Sequence, residues 1–308
     1  MKNFLLYVLA FCCISCFADA VPLADPFILF HENKYYAYGT YAGDGIAVFV
    51  SEDLKNWNPA GLALSRDDVW GNHSFWAPEV YKVDDGFLMY YSAEEHICAA
   101  KSDTPLGPFV QDDKKPMIQN EKAIDHTLFV DDDGTPWIFF VRFDKGNHIW
   151  CAQLEKDLVS VKLETMKLCI SPSEQEWEHR EGHVNEGAAV IKHNGKYYLS
   201  YSGNDYTSKF YGIGYAAAEN PDGKYVKSGK NPIYQQIGSL SGVGHHSFFR
   251  DKDGNLRVVF HSHYSNSEVH PRLMHITTAS FVDDKLVFSP DFFTPQIENP
   301  SGKESVSD

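Results

Sequence analysis

The sequence predicts an all-β chain folded as a five-bladed β-propeller. Three observations lead there. A hairpin unit recurs five times along the chain. Its copies begin 46 to 61 residues apart, a length that holds about four short strands. Helical periodicity is nearly absent, apart from a turn near Ser65–Trp70.

The clearest copy is Val184–Gly203. Here Val184-Asn185-Glu186-Gly187 opens an apolar run, Asn194-Gly195 supplies a turn, and Lys196-Tyr197-Tyr198-Leu199 begins a second run. Asn-Gly between two apolar runs is a strong hairpin signal, because a tight two-residue turn needs positive φ. Four relatives share the plan of polar head, short strand, Asp/Asn/Gly turn and aromatic strand. Their heads are Asp25, Glu79, Asp125 and His245, and with Glu186 they give five. Third strands are visible at Ala47–Val50, Ile97–Lys101 and Gly212–Ala218, each followed by a polar turn that ends on an aromatic residue. A β-sandwich would explain neither the period nor the placement of the heads.

The expected organisation is a signal peptide at residues 1–20, one propeller domain at 21–299 and a polar tail at 300–308. Lys2, the apolar run Phe4–Phe17 and Ala18-Asp19-Ala20 form the three regions of an export leader. The expected address is periplasmic or extracellular. Cleavage at Ser15-Cys16, with Cys16 acylated, is the less favoured alternative. No other stretch is long and apolar enough to span a bilayer. A net charge of -15 argues against a nucleic-acid partner. Aromatic residues reach 14%, which suits both strands and a surface that stacks on sugar rings. Cys98, Cys151 and Cys169 are too few for a disulfide framework and read as small buried hydrophobes.

In a propeller the heads of the inner strands converge on one mouth. Asp25, Asp125 and Glu186 would meet there, with Glu79 beside Trp76-Ala77-Pro78. Repulsion and partial burial must raise the pKa of at least one. A protonated carboxyl beside an ionised one is what glycosidic bond cleavage requires. Trp76 and Phe75 precede a head and are candidates to stack on a sugar. Asp131, Asp132 and Asp133 read as solvated turn acids, and Glu79 reads as structural.

These residues resemble glycoside hydrolase family 43. The resemblance is carried by Ala24-Asp25-Pro26, Trp76-Ala77-Pro78-Glu79, Ile124-Asp125, Glu186-Gly187 and Gly242-Val243-Gly244-His245, in order, over residues 24 to 280. It implies a five-bladed propeller that inverts the anomeric centre. Asp25 would be the general base, Glu186 the general acid, and Asp125 the carboxylate that holds Glu186 and tunes its pKa. It implies that Arg272 binds sugar hydroxyls. It also implies that His245 either supports a Ca2+ at the axis, mostly through waters, or simply bonds the acids. The expected partner is an arabinose- or xylose-containing polysaccharide or oligosaccharide, and the expected activity is exo-acting α-L-arabinofuranosidase. A single-domain β-D-xylosidase and an endo-arabinanase stay open, as does a carbohydrate-binding propeller without activity. At 308 residues the chain is expected to lack the second β-sandwich domain of many family xylosidases.

Overall fold

The structure is a computed structural model and describes residues 19–298. The leader up to residue 18, Cys16 included, and the tail from residue 299 lie outside the described residues.

Five antiparallel blades surround one axis. Blade 1 is β1 (Ala24–His31), β2 (Lys34–Thr40), β3 (Gly45–Ser51) and β4 (Asn56–Ser65). Blade 2 has three strands, β5 (Trp76–Val83), β6 (Gly86–Ala93) and β7 (His96–Ser102). Blade 3 is β8 (Ala123–Val130), β9 (Pro136–Phe143), β10 (Asn147–Gln153) and β11 (Lys167–Ile170). Blade 4 is β12 (Asn185–His193), β13 (Lys196–Gly203), β14 (Gly212–Ala218) and β15 (Val226–Lys227). Blade 5 is β16 (Gly244–Arg250), β17 (Leu256–Ser262), β18 (Leu273–Val282) and β19 (Lys285–Phe288). The turn near Ser65–Trp70 is a single 3-10 turn at Arg66–Asp68, capped by the Ser65 hydroxyl. One short helix, α1 (Glu176–His179), lies in the connection from blade 3 to blade 4.

The strands are buried on both faces, so they read as near-continuous apolar runs, and the core is divided among the five gaps between blades. Tyr38, Val48, Met89 and Tyr91 fill the gap between blades 1 and 2. Tyr90, Ile138 and Phe140 fill the next. Phe139, Leu199 and Tyr201 fill the third, and Tyr198, Val258 and Phe260 the fourth. Trp57, Phe49, Val259 and Met274 fill the last, between blades 5 and 1. Cys98, Cys151 and Cys169 are buried in these gaps as free thiols.

Both ends of the described chain close the ring. The short strand β20 (Gln296–Ile297) adds to the outer edge of blade 1, parallel to β4. Val21 N–H donates to Pro295 O (3.1 Å), and Met274 N–H donates to Val21 O (3.0 Å), which ties blade 5 to the entry of blade 1. Asp19 and Ala20 fall inside the expected leader yet join this closure. Asp19 O accepts from Ile297 N–H (2.6 Å), and Ala20 is a buried bridge partner of Gln296.

The Asn194-Gly195 turn has positive φ at both residues (48° and 75°), as its sequence predicts. A second feature of the inner strands is repeated around the ring. β1, β5, β8, β12 and β16 each lose register once, between Ala24 and Phe27, Trp76 and Glu79, Ile124 and Thr127, Glu186 and Ala189, and Gly244 and Ser247. Each of these bulges holds one left-handed residue: Asp25 (φ 49°), Ala77 (45°), Asp125 (52°), Gly187 (56°) and His245 (42°). Left-handed backbone is costly for any residue but Gly, so five such positions at one end of the axis mark a shaped site. The equivalent heads are therefore 25, 77, 125, 187 and 245. This corrects the expected set in blades 2 and 4, where Glu79 lies two residues past the equivalent position and Glu186 one before it.

Candidate active site

Asp25 occupies the bulge of β1 and is 7% exposed. Arg272 grips it with two donors, Nη1 to Oδ1 at 2.7 Å and Nη2 to Oδ2 at 3.3 Å. Thr40 Oγ1 donates to Oδ2 (2.7 Å). His245 Nδ1 stands 3.3 Å from Oδ1, and His261 Nδ1 accepts the Asp25 backbone N–H (3.1 Å). Burial pushes the Asp25 carboxyl up, but the Arg272 guanidinium, His245 and His261 outweigh it and hold the group well below the usual carboxylate range. Asp25 is ionised at neutral pH.

Glu186 stands one residue before its bulge and pairs with Ser202 across the hairpin. Both of its oxygens accept from neutral donors: Tyr211 Oη to Oε1 (2.8 Å) and Asn147 Nδ2 to Oε2 (3.0 Å). Burial raises its pKa, the Tyr211 hydroxyl opposes that, and the Asp25 charge raises it further. The result is about 7. Glu186 is thus protonated over much of the range in which Asp25 is ionised.

Asp125 occupies the bulge of β8. Burial raises its pKa well above the usual value, and the charges of Glu186 and Asp25 add to the rise, while the Gly187 N–H lowers it. Asp125 and Glu186 titrate as a pair that holds at least one proton near neutrality. Asp125 was expected to hold Glu186. The grip on the Glu186 side chain comes instead from Asn147 and Tyr211, and Asp125 acts on the peptide that follows and through its charge. Gly187 is required by its left-handed φ and by His245, whose ring would stand 3.1 Å from an added Cβ. Gly244 leaves room for the Tyr211 ring, which would lie 2.0 Å from an added Cβ.

Arg272, expected on sugar hydroxyls, spends its fork on Asp25 and lies over the Tyr206 ring, 4.7 Å from the centroid. Trp76 is part-buried at the first position of β5, paired with Ser92 as Glu186 is with Ser202. Phe75 is a correction: it is 1% exposed and packs on Tyr91 in the gap between blades 1 and 2, so it offers no surface to a sugar. Glu79 is buried, accepts from the Tyr81 hydroxyl, and is pushed up to about 8 by burial, which keeps it neutral. Lys192 binds both Asp131 (2.6 Å) and Asp132 (2.7 Å), so these turn acids are surface ion-pair partners.

Thr40, on β2, escaped the sequence reading, as did three further residues of the site. Asn147 comes from β10, Tyr211 from the loop before β14, and His261 from β17. The Tyr211 and His261 rings are stacked, 5.8 Å apart and 11° from parallel, and so link the residue that Tyr211 binds to the residue that His261 binds.

The protein groups around His245 do not by themselves fill a calcium shell. Calcium takes about six to eight oxygen ligands. His245 Nδ1 already faces Asp25 and Asp125, at 3.3 and 3.8 Å, and both Asp25 oxygens are bonded. The void beneath, lined by Asp25, His126, His245 and His246, is about 10 Å³, room for about one water. Among the described residues no three ligand-type side chains converge on a metal position.

One mouth of the propeller thus presents an ionised carboxylate and a protonated carboxyl, the pairing used by hydrolases that work by general acid and base. The profile of the glycosyl hydrolases family 43 matches residues 20–286, and the chain belongs to that family of glycoside hydrolases. A solved structure of an endo-1,4-β-xylanase from Bacteroides thetaiotaomicron is 47% identical, with a TM-score of 0.87 over 91% of this chain and 98% of that one. A thermostable family-43 glycoside hydrolase is 37% identical, with a TM-score of 0.81 over 92% and 96% of the two chains. A β-D-galactofuranosidase of Aspergillus niger is 28% identical, over 79% of this chain and 74% of its own. No helix among the described residues is long and apolar enough to cross a membrane.

Proposed function

We propose that the chain is an inverting exo-glycosidase that removes terminal α-L-arabinofuranosyl residues from plant polysaccharides. The observation that carries the acid–base reading is the contrast between Asp25, held ionised by Arg272, and Glu186, pushed up to about 7 by burial and the Asp25 charge against two neutral donors. In this reading Asp25 takes a proton from a water as the water oxygen bonds to the anomeric carbon. Glu186 gives its proton to the glycosidic oxygen as that bond to carbon breaks. The products are a sugar of inverted configuration and a free hydroxyl, and exchange with solvent restores both carboxyls. Inversion requires room for that water between the two carboxyls.

The sugar assignment rests on ring chemistry. A β-D-galactofuranoside, the substrate named for the Aspergillus niger relative, has the ring configuration of an α-L-arabinofuranoside. The xylanase name of the 47% identical structure favours a second reading, a β-D-xyloside. A side-by-side assay on aryl α-L-arabinofuranoside and aryl β-D-xyloside separates the two. Faster turnover of the xyloside would reverse the assignment. Proton NMR of the first product should show the inverted anomer, and a retained anomer would remove Asp25 from its role.

We also propose that the enzyme is exported. Mass analysis of the mature N-terminus distinguishes a start at Val21 from a start that keeps Asp19 and Ala20 in the ring closure. Recovery of the chain only in the cytoplasm, uncleaved, would overturn export.

A further inference from the structure

A partly buried ion pair, Glu178 at 1% and Lys227 at 21% exposed, meets the strand that carries Glu186. Lys227 Nζ, on β15, donates to Glu178 Oε2 (2.5 Å), Asn185 Oδ1 (2.8 Å) and Ser171 O (2.6 Å). Glu178, on α1, is 1% exposed and also accepts from Tyr201 Oη (2.6 Å) and from Ser173 N–H (2.6 Å). Its neighbour Trp177 packs on Tyr201 with ring centroids 5.7 Å apart and fixes α1 against blade 4. Desolvating two charges usually leaves such a pair with little net stability, and apolar side chains of the same volume would do as well or better. What the pair does provide is one defined geometry for the segments that meet on it.

Those segments lead to Glu186 by two routes. Asn185 precedes it on β12, is fully buried, receives Lys227 on its Oδ1 and donates from Nδ2 to Val184 O (2.8 Å). The second route runs through the connection that follows α1. Val184 N–H reaches Glu178 O (3.4 Å), and Asn147 N–H donates to His183 O (2.9 Å). Asn147 also bridges Val184, and its side chain is one of the two that grip Glu186. The ion pair is therefore joined both to the strand under the acid and to the residue that aims it.

We propose that Glu178, Lys227 and Asn185 form a positioning unit for the proton donor, fixing the Glu186 carboxyl against the leaving oxygen. This rests on the reading of Glu186 as general acid. A group that aims an acid matters most where the leaving group needs protonation. A group that only stabilises the fold affects all substrates alike.

The experiment compares kcat for glycosides with a 2,4-dinitrophenyl leaving group, which departs without help, and with an alkyl leaving group, which does not. Asn185→Ala leaves the ion pair intact, Glu178→Gln breaks it, and Lys227→Arg keeps the charge. Glu186→Ala is the reference. Misplacement of a reacting group costs up to about 10²-fold. Asn185→Ala and Glu178→Gln should therefore lose about tenfold or more on the alkyl glycoside and less than about threefold on the dinitrophenyl glycoside, with KM little changed and Lys227→Arg between them and the native protein. Asn185→Ala serves if Glu178→Gln does not fold. Equal losses on both substrates, or no loss on either, would overturn the proposal while Glu186→Ala still shows a leaving-group effect. Equal losses for Glu186→Ala itself would overturn the acid assignment instead.

Discussion

Asp25 and Glu186 stand at the bulges of the inner strands of blades 1 and 4 and are the same kind of group. Burial pushes both upward. They end far apart, Asp25 well below the usual carboxylate range and Glu186 at about 7, because of what surrounds them. Asp25 sits at the left-handed position of its bulge and meets a guanidinium and two imidazoles. Glu186 sits one residue earlier and meets an amide and a phenol. A formal charge overrides desolvation; neutral donors only moderate it. The division of labour is thus set by the partners, most of which come from other blades, and not by the carboxyls or their depth.

The strongest way to break this comparison is to remove each carboxyl in turn. Asp25→Asn should lower kcat/KM by about 10²–10⁴-fold on every substrate, since the water must be activated whatever departs. Glu186→Gln should lose as much on substrates with poor leaving groups and far less on activated ones. Indistinguishable profiles for the two variants would mean that they do not divide the work.

The next effect concerns the charge. Arg272→Met removes the main force holding Asp25 down, so the Asp25 pKa rises. Activity needs Asp25 ionised, so the acid limb of kcat/KM against pH should move to higher pH. An unmoved limb would show that Arg272 does not set the ionisation of Asp25. A smaller shift is expected from Tyr211→Phe. The Tyr211 hydroxyl favours ionised Glu186, so its loss raises the Glu186 pKa above about 7. Activity needs Glu186 protonated, so the alkaline limb should move upward by about one unit. A downward move would contradict the hydrogen bond.

The smallest effect on activity is expected at Glu79, a fourth carboxyl near the axis with no charged partner. Its pKa rises from 4.5 to about 8 on folding. Its contribution to stability is therefore complete below about pH 4.5 and is lost as pH rises through about 8. Glu79→Gln should leave turnover within about twofold and flatten the decline of Tm between pH 5 and 8. An unchanged slope would show that the carboxyl is not titrating in the fold, and a large loss of turnover would place it in the chemistry.

Much of the molecule could be read from the chain because its information is local. Asn194-Gly195 demands a turn with positive φ, and the two apolar runs beside it demand strands. Five such units at a near-constant spacing demand a ring, since each hairpin has two faces to bury and only its neighbours to bury them against. The ring brings Asp25, Asp125 and Glu186 to one mouth. What escaped was anything decided by one residue of register or by another blade. The bulge makes Ala77 and Gly187 the equivalents of Asp25, and sequence spacing alone cannot place a bulge. One step along the chain separates Trp76 at the mouth from Phe75 in the core. Asn147, Tyr211, His261 and the fork of Arg272 reach the acids from distant parts of the chain. Local propensity and period therefore determined the hairpins, the blades and the three carboxyls. Tertiary structure alone decided which carboxyl keeps its proton, because that depends on a few ångströms between side chains that the sequence holds tens to hundreds of residues apart.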